Sequence, residues 1–281
     1  MRTARYWVRA DVTIDGVEIP DGGVIALGWS DASIEDAHRV ALERARRSAA
    51  VLKADQNLTA WEYPYPDRPI REPVIDEIYE GDHLSAAITR NSYGALILNT
   101  ADVMFIDIDA PTGMVGWLGS VLKGRNQAVE LAQQTAAQLN ELVDSDRILG
   151  FRLYQTAAGL RVLATGRTYN PASDETDALM KSLKADKQYI QLCRTQACFR
   201  ARLTPKPWRC GIPRPPVTFP YNDESRQQQF DTWLQSYEKH ASGYATCKLI
   251  SHIGNEAVPD NIRPILTWHD ELSCGGDMPL A

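Results

Sequence analysis

The chain has 281 residues, ordinary hydrophobic content (44%) and a formal net charge of −6. That length holds one large domain or two modest ones with a sizeable core, and the acidic balance argues against a general coat for nucleic acid. No apolar run approaches the ~20 residues that span a bilayer, and Met1–Trp7 lacks the apolar stretch of a signal peptide, so a soluble, cytoplasmic protein without membrane association is expected.

In chain order, Tyr6–Val12 and Val24–Trp29 read as strands around turns at Asp15-Gly16 and Pro20-Asp21-Gly22-Gly23. A helix is predicted from Ser33 to about Leu52. Ser33 and Asp36 form an imperfect capping box, Glu35 and Asp36 suit the helix N-terminus, and Ala37, Val40, Ala41, Ala45 and Ala49 make a packing face. Residues 62–73 contain four prolines and form an extended connector. Glu72–Glu80 is expected as a short helix. Ser85–Arg90, Gly94–Asn99 and the run ending at Asp109 follow as strands, whose short connections predict antiparallel neighbours. A long helix covers roughly 126–143. Strands at Phe151–Thr156 and Leu160–Ala164, a helix from Asp174 to about Lys184 and a strand at residues 199–203 come next. Residues 211–220 are proline-rich and irregular, Arg226–His240 is helical, and Ile265–Trp268 reads as an edge strand in an otherwise ambiguous tail. Paired strands separated by helices predict an α+β fold, an antiparallel sheet backed by helices. It divides into an N-terminal β-hairpin and helix (1–61), the connector (62–73), a core (74–220) and a C-terminal extension (221–281).

The chemistry concentrates in three places. In Val103-Met104-Phe105-Ile106-Asp107-Ile108-Asp109, alternation puts Phe105, Asp107 and Asp109 on one strand face and Ile106 and Ile108 on the other. Two carboxylates on one face repel each other and are costly to desolvate. A divalent cation relieves both, because Mg²⁺ takes a few carboxylate oxygens with waters and phosphates; the simpler alternative is a strand end entering a turn at Asp109-Ala110-Pro111. Second, Tyr154-Gln155-Thr156-Ala157-Ala158-Gly159-Leu160-Arg161 places small residues in a tight turn where backbone N–H groups approach an oxyanion. Arg161 emerges on the next strand as a phosphate donor, or else the segment is a plain hairpin with an exposed arginine. Third, residues 187–222 contain no acid, yet carry Lys187, Arg194, Arg200, Arg202, Lys206, Arg209 and Arg214. Arg200, Arg202 and Lys206 form a cationic face, unless some of these pair with acids elsewhere in the fold. Trp208 lies inside this stripe and is the one tryptophan suited to stacking on a base.

The motif survey excludes several classes. There is no Gx4GK[ST] loop, HExxH, GxSxG or Rossmann glycine pattern. Five cysteines lack compact secreted-domain spacing. Cys193, Cys198 and Cys210 offer a weak zinc set, with buried free thiols as the alternative.

Phe105-Ile106-Asp107-Ile108-Asp109, followed by Thr156-Ala157-Ala158-Gly159-Leu160-Arg161 and then Phe199-Arg200-Ala201-Arg202-Leu203-Thr204-Pro205-Lys206-Pro207, resembles the motif order of the archaeo-eukaryotic primase and primase-polymerase superfamily over roughly residues 85–210. The resemblance implies an RRM-like antiparallel core and metal-dependent nucleotidyl transfer. Asp107 and Asp109 would ligate Mg²⁺ or Mn²⁺, Thr156, Gly159 and Arg161 would contact nucleotide phosphates, and Arg200, Arg202 and Lys206 would contact phosphate or template backbone. Its nucleotide-binding histidine falls at Arg161, and its third acid is represented by Asp186 or by Asp270, beside His269. The departures favour a second reading, a non-catalytic nucleotide- or nucleic-acid-binding module on the same fold. A zinc-stabilised structural protein is a third.

Overall fold

Three antiparallel sheets organise the computed structural model, which describes residues 1–12, 24–54, 69–110, 121–221 and 223–281. Strands β1 (Tyr6–Val12) and β2 (Val24–Ser30) form a hairpin covered by α1 (Ile34–Ala54). The alanine face read from the sequence is that contact, with Ala37, Ala41 and Ala45 fully buried. Gly28 lets the helix come this close: a Cβ there would lie 2.1 Å from the Ala37 carbonyl oxygen. Both turns predicted between β1 and β2, and most of the proline-rich connector, lie outside the described residues.

The second sheet contains β3 (Val74–Glu80), β4 (His83–Arg90), β5 (Leu96–Thr100) and β9 (Phe199–Arg202), in the order β3-β4-β5-β9. The third contains β6 (Phe105–Asp109), β7 (Gly150–Thr156), β8 (Gly159–Ala164) and β10 (Cys247–Gly254), in the order β10-β7-β8-β6. The helices are α2 (Val121–Ser145), α3 (Asp174–Ser182), α4 (Lys187–Gln196), α5 (Glu224–Ala241) and α6 (Arg263–Ser273). The fold is thus α+β, antiparallel sheets backed by helices, with an N-terminal hairpin and helix.

Three local expectations are corrected. Residues 74–80 are a strand and not a helix: Val74, Ile75, Ile78 and Tyr79 favour extended backbone, and Gly81 at φ +61° turns the chain into β4. β5 and β6 are not neighbours despite their short connection. The Thr100 hydroxyl donates to the Val103 carbonyl, and the chain crosses between sheets at 101–104, so that β5 takes β9 and β6 takes β8 as partners. Ile265–Trp268 belongs to α6, with Pro264 in its first turn and Ile265, Leu266, His269 and Ser273 buried at helical spacing.

Both faces of the β6 sheet carry buried residues at its centre. Its Ile106, Ile108, Leu153, Leu160 and Val162 join the core to which Leu139 and Val143 of α2 belong. The opposite face carries a row in register, Asp107, Arg161 and Tyr154. There α6 covers one end, with the His269 ring 5.2 Å from Phe105 and 4.8 Å from Tyr154. The other end of that face is left open.

Candidate functional site

The open end forms one wall of a cleft of about 620 Å³ whose other wall comes from the β9 sheet. Tyr189 of α4 ties the walls together: its hydroxyl donates to the Phe105 carbonyl (2.7 Å) and accepts from the Arg200 N–H (3.3 Å). Burial pushes the Tyr189 phenol well up, so it stays a neutral hydrogen-bonding strut. Asp107, Asp109, Thr156, Arg161, Arg200, Arg202 and Lys206, separated by up to a hundred residues in the chain, all line this cleft.

The two acids differ in state. Asp107 lies directly across the ladder from Arg161, whose Nε and Nη2 donate to its two oxygens at 2.7 and 3.1 Å. Arg161 is 1% exposed and also donates Nη1–H to the Arg202 carbonyl (2.9 Å). Burial alone would lower its pKa, but the charge and hydrogen bonds of Asp107 outweigh that and hold it above the usual arginine range. The guanidinium is therefore committed to the protein and acts as a clamp on Asp107. Asp109 is exposed, and its side chain has no hydrogen bond or ion pair among the described residues.

Gly159 stands opposite Asp109 in the ladder. A Cβ there would sit 2.0 Å from the Ile108 carbonyl oxygen, so this glycine serves the close approach of β8 to β6. It lines a different, apolar hollow beside α2 and not the cleft.

The cations divide in the same way. Arg200 reaches both oxygens of Glu72 at 2.6 and 2.7 Å, with each side chain 12% exposed, and donates to Gln196. Arg194 pairs with Asp174. The acid-free stripe is therefore partly neutralised from outside itself. Arg202, Lys206 and Arg209 have no ion pair among the described residues. Arg202 makes one long bond to the Thr204 carbonyl (3.3 Å), and Nη1 of Arg209 is buried without a partner. Burial, followed by Arg161, depresses the Arg202 pKa. Burial, followed by Arg202 and Arg209, depresses that of Lys206, while Asp109 and Asp107 pull it back up. Three crowded cations without an ion pair among the described residues give this part of the cleft a positive potential.

Neither candidate third acid joins the pair. Asp186 caps α4, accepting from the Tyr189 N–H (2.8 Å). Asp270 lies at the α6-covered end of the same face, held by Arg152 (2.5 Å), the Tyr154 hydroxyl (2.7 Å) and His269 Nδ1 (2.9 Å). His269 Nε2 in turn faces Arg161 Nη1 at 3.5 Å. A buried polar chain thus runs from Asp107 through Arg161 and His269 to Asp270. No group of three His, Cys, Asp or Glu suited to a metal occurs among the described residues. What the cleft offers a divalent cation is Asp109 and the solvent-facing side of Asp107, a set that fits Mg²⁺ only if phosphate and water complete its shell.

Cys193, Cys198 and Cys210 are buried free thiols. Burial pushes Cys193 up to about 12 and Cys198 to about 11, so both stay protonated. Sequence reasoning did not single out Glu72 or Tyr93, which also lines the cleft, and placed Arg209 only within the general stripe. Trp208 is 44% exposed, packs edge-on to Tyr93 at 5.4 Å and lies under Arg214 at 4.9 Å.

No helix among the described residues is long and apolar enough to cross a membrane. No protein-family model matches the chain, and the searches of curated proteins and of solved structures found no significant match.

Proposed function

We propose that the cleft binds a nucleoside polyphosphate with a divalent cation, as in a nucleotidyltransferase related to the primase-polymerases. The observation that carries this reading is the polarity of the cleft: two carboxylates on the β6 wall face Arg202, Lys206 and Arg209, which lack counter-ions among the described residues. Asp109 and the outer side of Asp107 would hold Mg²⁺ or Mn²⁺, which would neutralise phosphate oxygens and activate a hydroxyl. Arg202, Lys206 and Arg209 would take the phosphates, and Thr156 would contribute its hydroxyl. Arg161 would keep Asp107 from turning toward these cations. Arg200, bound to Glu72, would fix the wall.

A second reading, non-catalytic binding of nucleotide or nucleic acid, is favoured by the Asp107 clamp, because both oxygens of that carboxylate already accept hydrogen bonds. Calorimetric titration with ATP separates the two. The first predicts binding that Mg²⁺ strengthens at least tenfold, and a comparable loss in Arg202→Ala. The second predicts the same Kd in Mg²⁺ and in EDTA, with strong salt dependence. Absence of ATP binding in both conditions would reject nucleotide binding; the absence of single-stranded DNA and RNA binding as well would reject both readings.

A further inference from the structure

Where the start of β10 meets the end of α6, two cysteines come together. Cys247 opens β10 and pairs in register with Thr156, a residue of the cleft wall. Cys274 directly follows α6 and forms a parallel bridge with Cys247. Their Sγ atoms are 3.6 Å apart. Bridge partners have Cα separations within the range a disulfide accepts, so side-chain rotation and a small backbone adjustment suffice to bring the sulfurs to bonding distance. Cys247 is fully buried, whereas Cys274 is partly exposed. His269 Nε2 lies 3.9 Å from the Cys247 sulfur, and Ser273 Oγ, whose hydroxyl donates to the His269 carbonyl, lies 3.2 Å from it. The hydrogen bond from Cys274, opposed by burial and aided by His269 and Arg161, pulls the Cys247 thiol down to about 4, while the same bond pushes Cys274 up. Cys247 is thus the more readily ionised sulfur of the pair, in contrast to Cys193 and Cys198, which burial keeps protonated.

We propose that Cys247 and Cys274 form a redox-active dithiol that a peroxide oxidises to a disulfide, fastening α6 and the C-terminal segment to the β10 edge of the sheet. The Cys274 thiol passes its proton to the Cys247 thiolate across the 3.6 Å contact, and the solvent-facing Cys274 thiolate then attacks a peroxide oxygen, giving a sulfenic acid and hydroxide. Hydroxide then takes the Cys247 proton, forming water. The Cys247 thiolate attacks the Cys274 sulfur, the S–S bond forms and hydroxide leaves. Two sulfurs are oxidised, one peroxide O–O bond is reduced, and the pair with H₂O₂ yields disulfide, water and hydroxide.

The test is stoichiometric hydrogen peroxide on the full chain, read by intact mass and tryptic mapping. Cleavage after Lys248 places the two cysteines on separate peptides. The expected result is loss of two hydrogens, a cross-link between those peptides, reversal by dithiothreitol, and a higher Tm for the oxidised form, because the bond closes a loop from residue 247 to residue 274. Cys274→Ser, with its fold checked by circular dichroism, should lose the cross-link. Three results would overturn the proposal: thiols that remain reduced, oxygen added at Cys274 while Cys247 stays free, or a disulfide that involves another cysteine. The wild-type measurement decides even if the variant misfolds.

Discussion

Asp107 and Arg161 are bonded to each other but unequally buried, the aspartate side chain 38% exposed and the arginine 1%. Removing one charge therefore differs from removing the other. Asp107→Asn leaves a buried guanidinium without its counter-charge and should cost about 3 kcal/mol. Arg161→Met fills the same space and leaves a carboxylate that water can reach, which should cost about 1 kcal/mol. Urea denaturation of both variants checks the order, and a larger loss in Arg161→Met would contradict it. Asp270 supplies a second prediction at this scale. Burial opposes its ionisation, but hydrogen bonds from His269 and Tyr154 and the charge of His269 and Arg152 leave its pKa below the usual carboxylate value. A carboxylate depressed in the folded state contributes stability above its unfolded pKa, near 3.9, and loses it as pH falls through the folded value. Stability should accordingly fall from about pH 4 downward, and Asp270→Asn should flatten that slope in thermal melts across pH.

At the scale of elements, the cleft depends on how closely β8 meets β6. Gly159 faces backbone and not a movable side chain, with the Ile108 carbonyl oxygen 2.0 Å from a Cβ position. Gly159→Ala should force the strands apart where Asp109 is anchored, at a cost of about 1–3 kcal/mol or more. It should also weaken ATP binding, although residue 159 does not line the cleft. Thermal melts and titration on the same sample check both parts; an unchanged Tm would contradict the packing argument. The β9 wall has a different support. Its Arg200 is held by Glu72, 128 residues away in the chain.

Across the whole molecule, what the sequence made legible was local. The alternation in 105–109, the small-residue turn before Arg161 and the Arg-x-Arg strand each identify their own element and face, because side-chain direction on a strand has period two. The non-local features were not legible. Nothing near Thr100 says that the chain changes sheets, nothing near Glu72 points to Arg200, and the apolar run 265–268 suits a strand until the burial of Ile265, Leu266, His269 and Ser273 at helical spacing, with His269 against Phe105 and Tyr154, selects a helix. The clamp on Asp107 also escaped sequence reading, because Arg161 suits an external phosphate as well as an internal carboxylate. The central claim is that the open acid, Asp109, and the cations Arg202, Lys206 and Arg209 act together on a metal-bound polyphosphate. Electron paramagnetic resonance of Mn²⁺ tests it most directly, in the wild type and in Asp109→Asn, with and without ATP. The account predicts Mn²⁺ bound at one equivalent only when ATP is present, and lost in the variant. Equal Mn²⁺ retention by Asp109→Asn, or ATP bound with no Mn²⁺ held beside it, would contradict it.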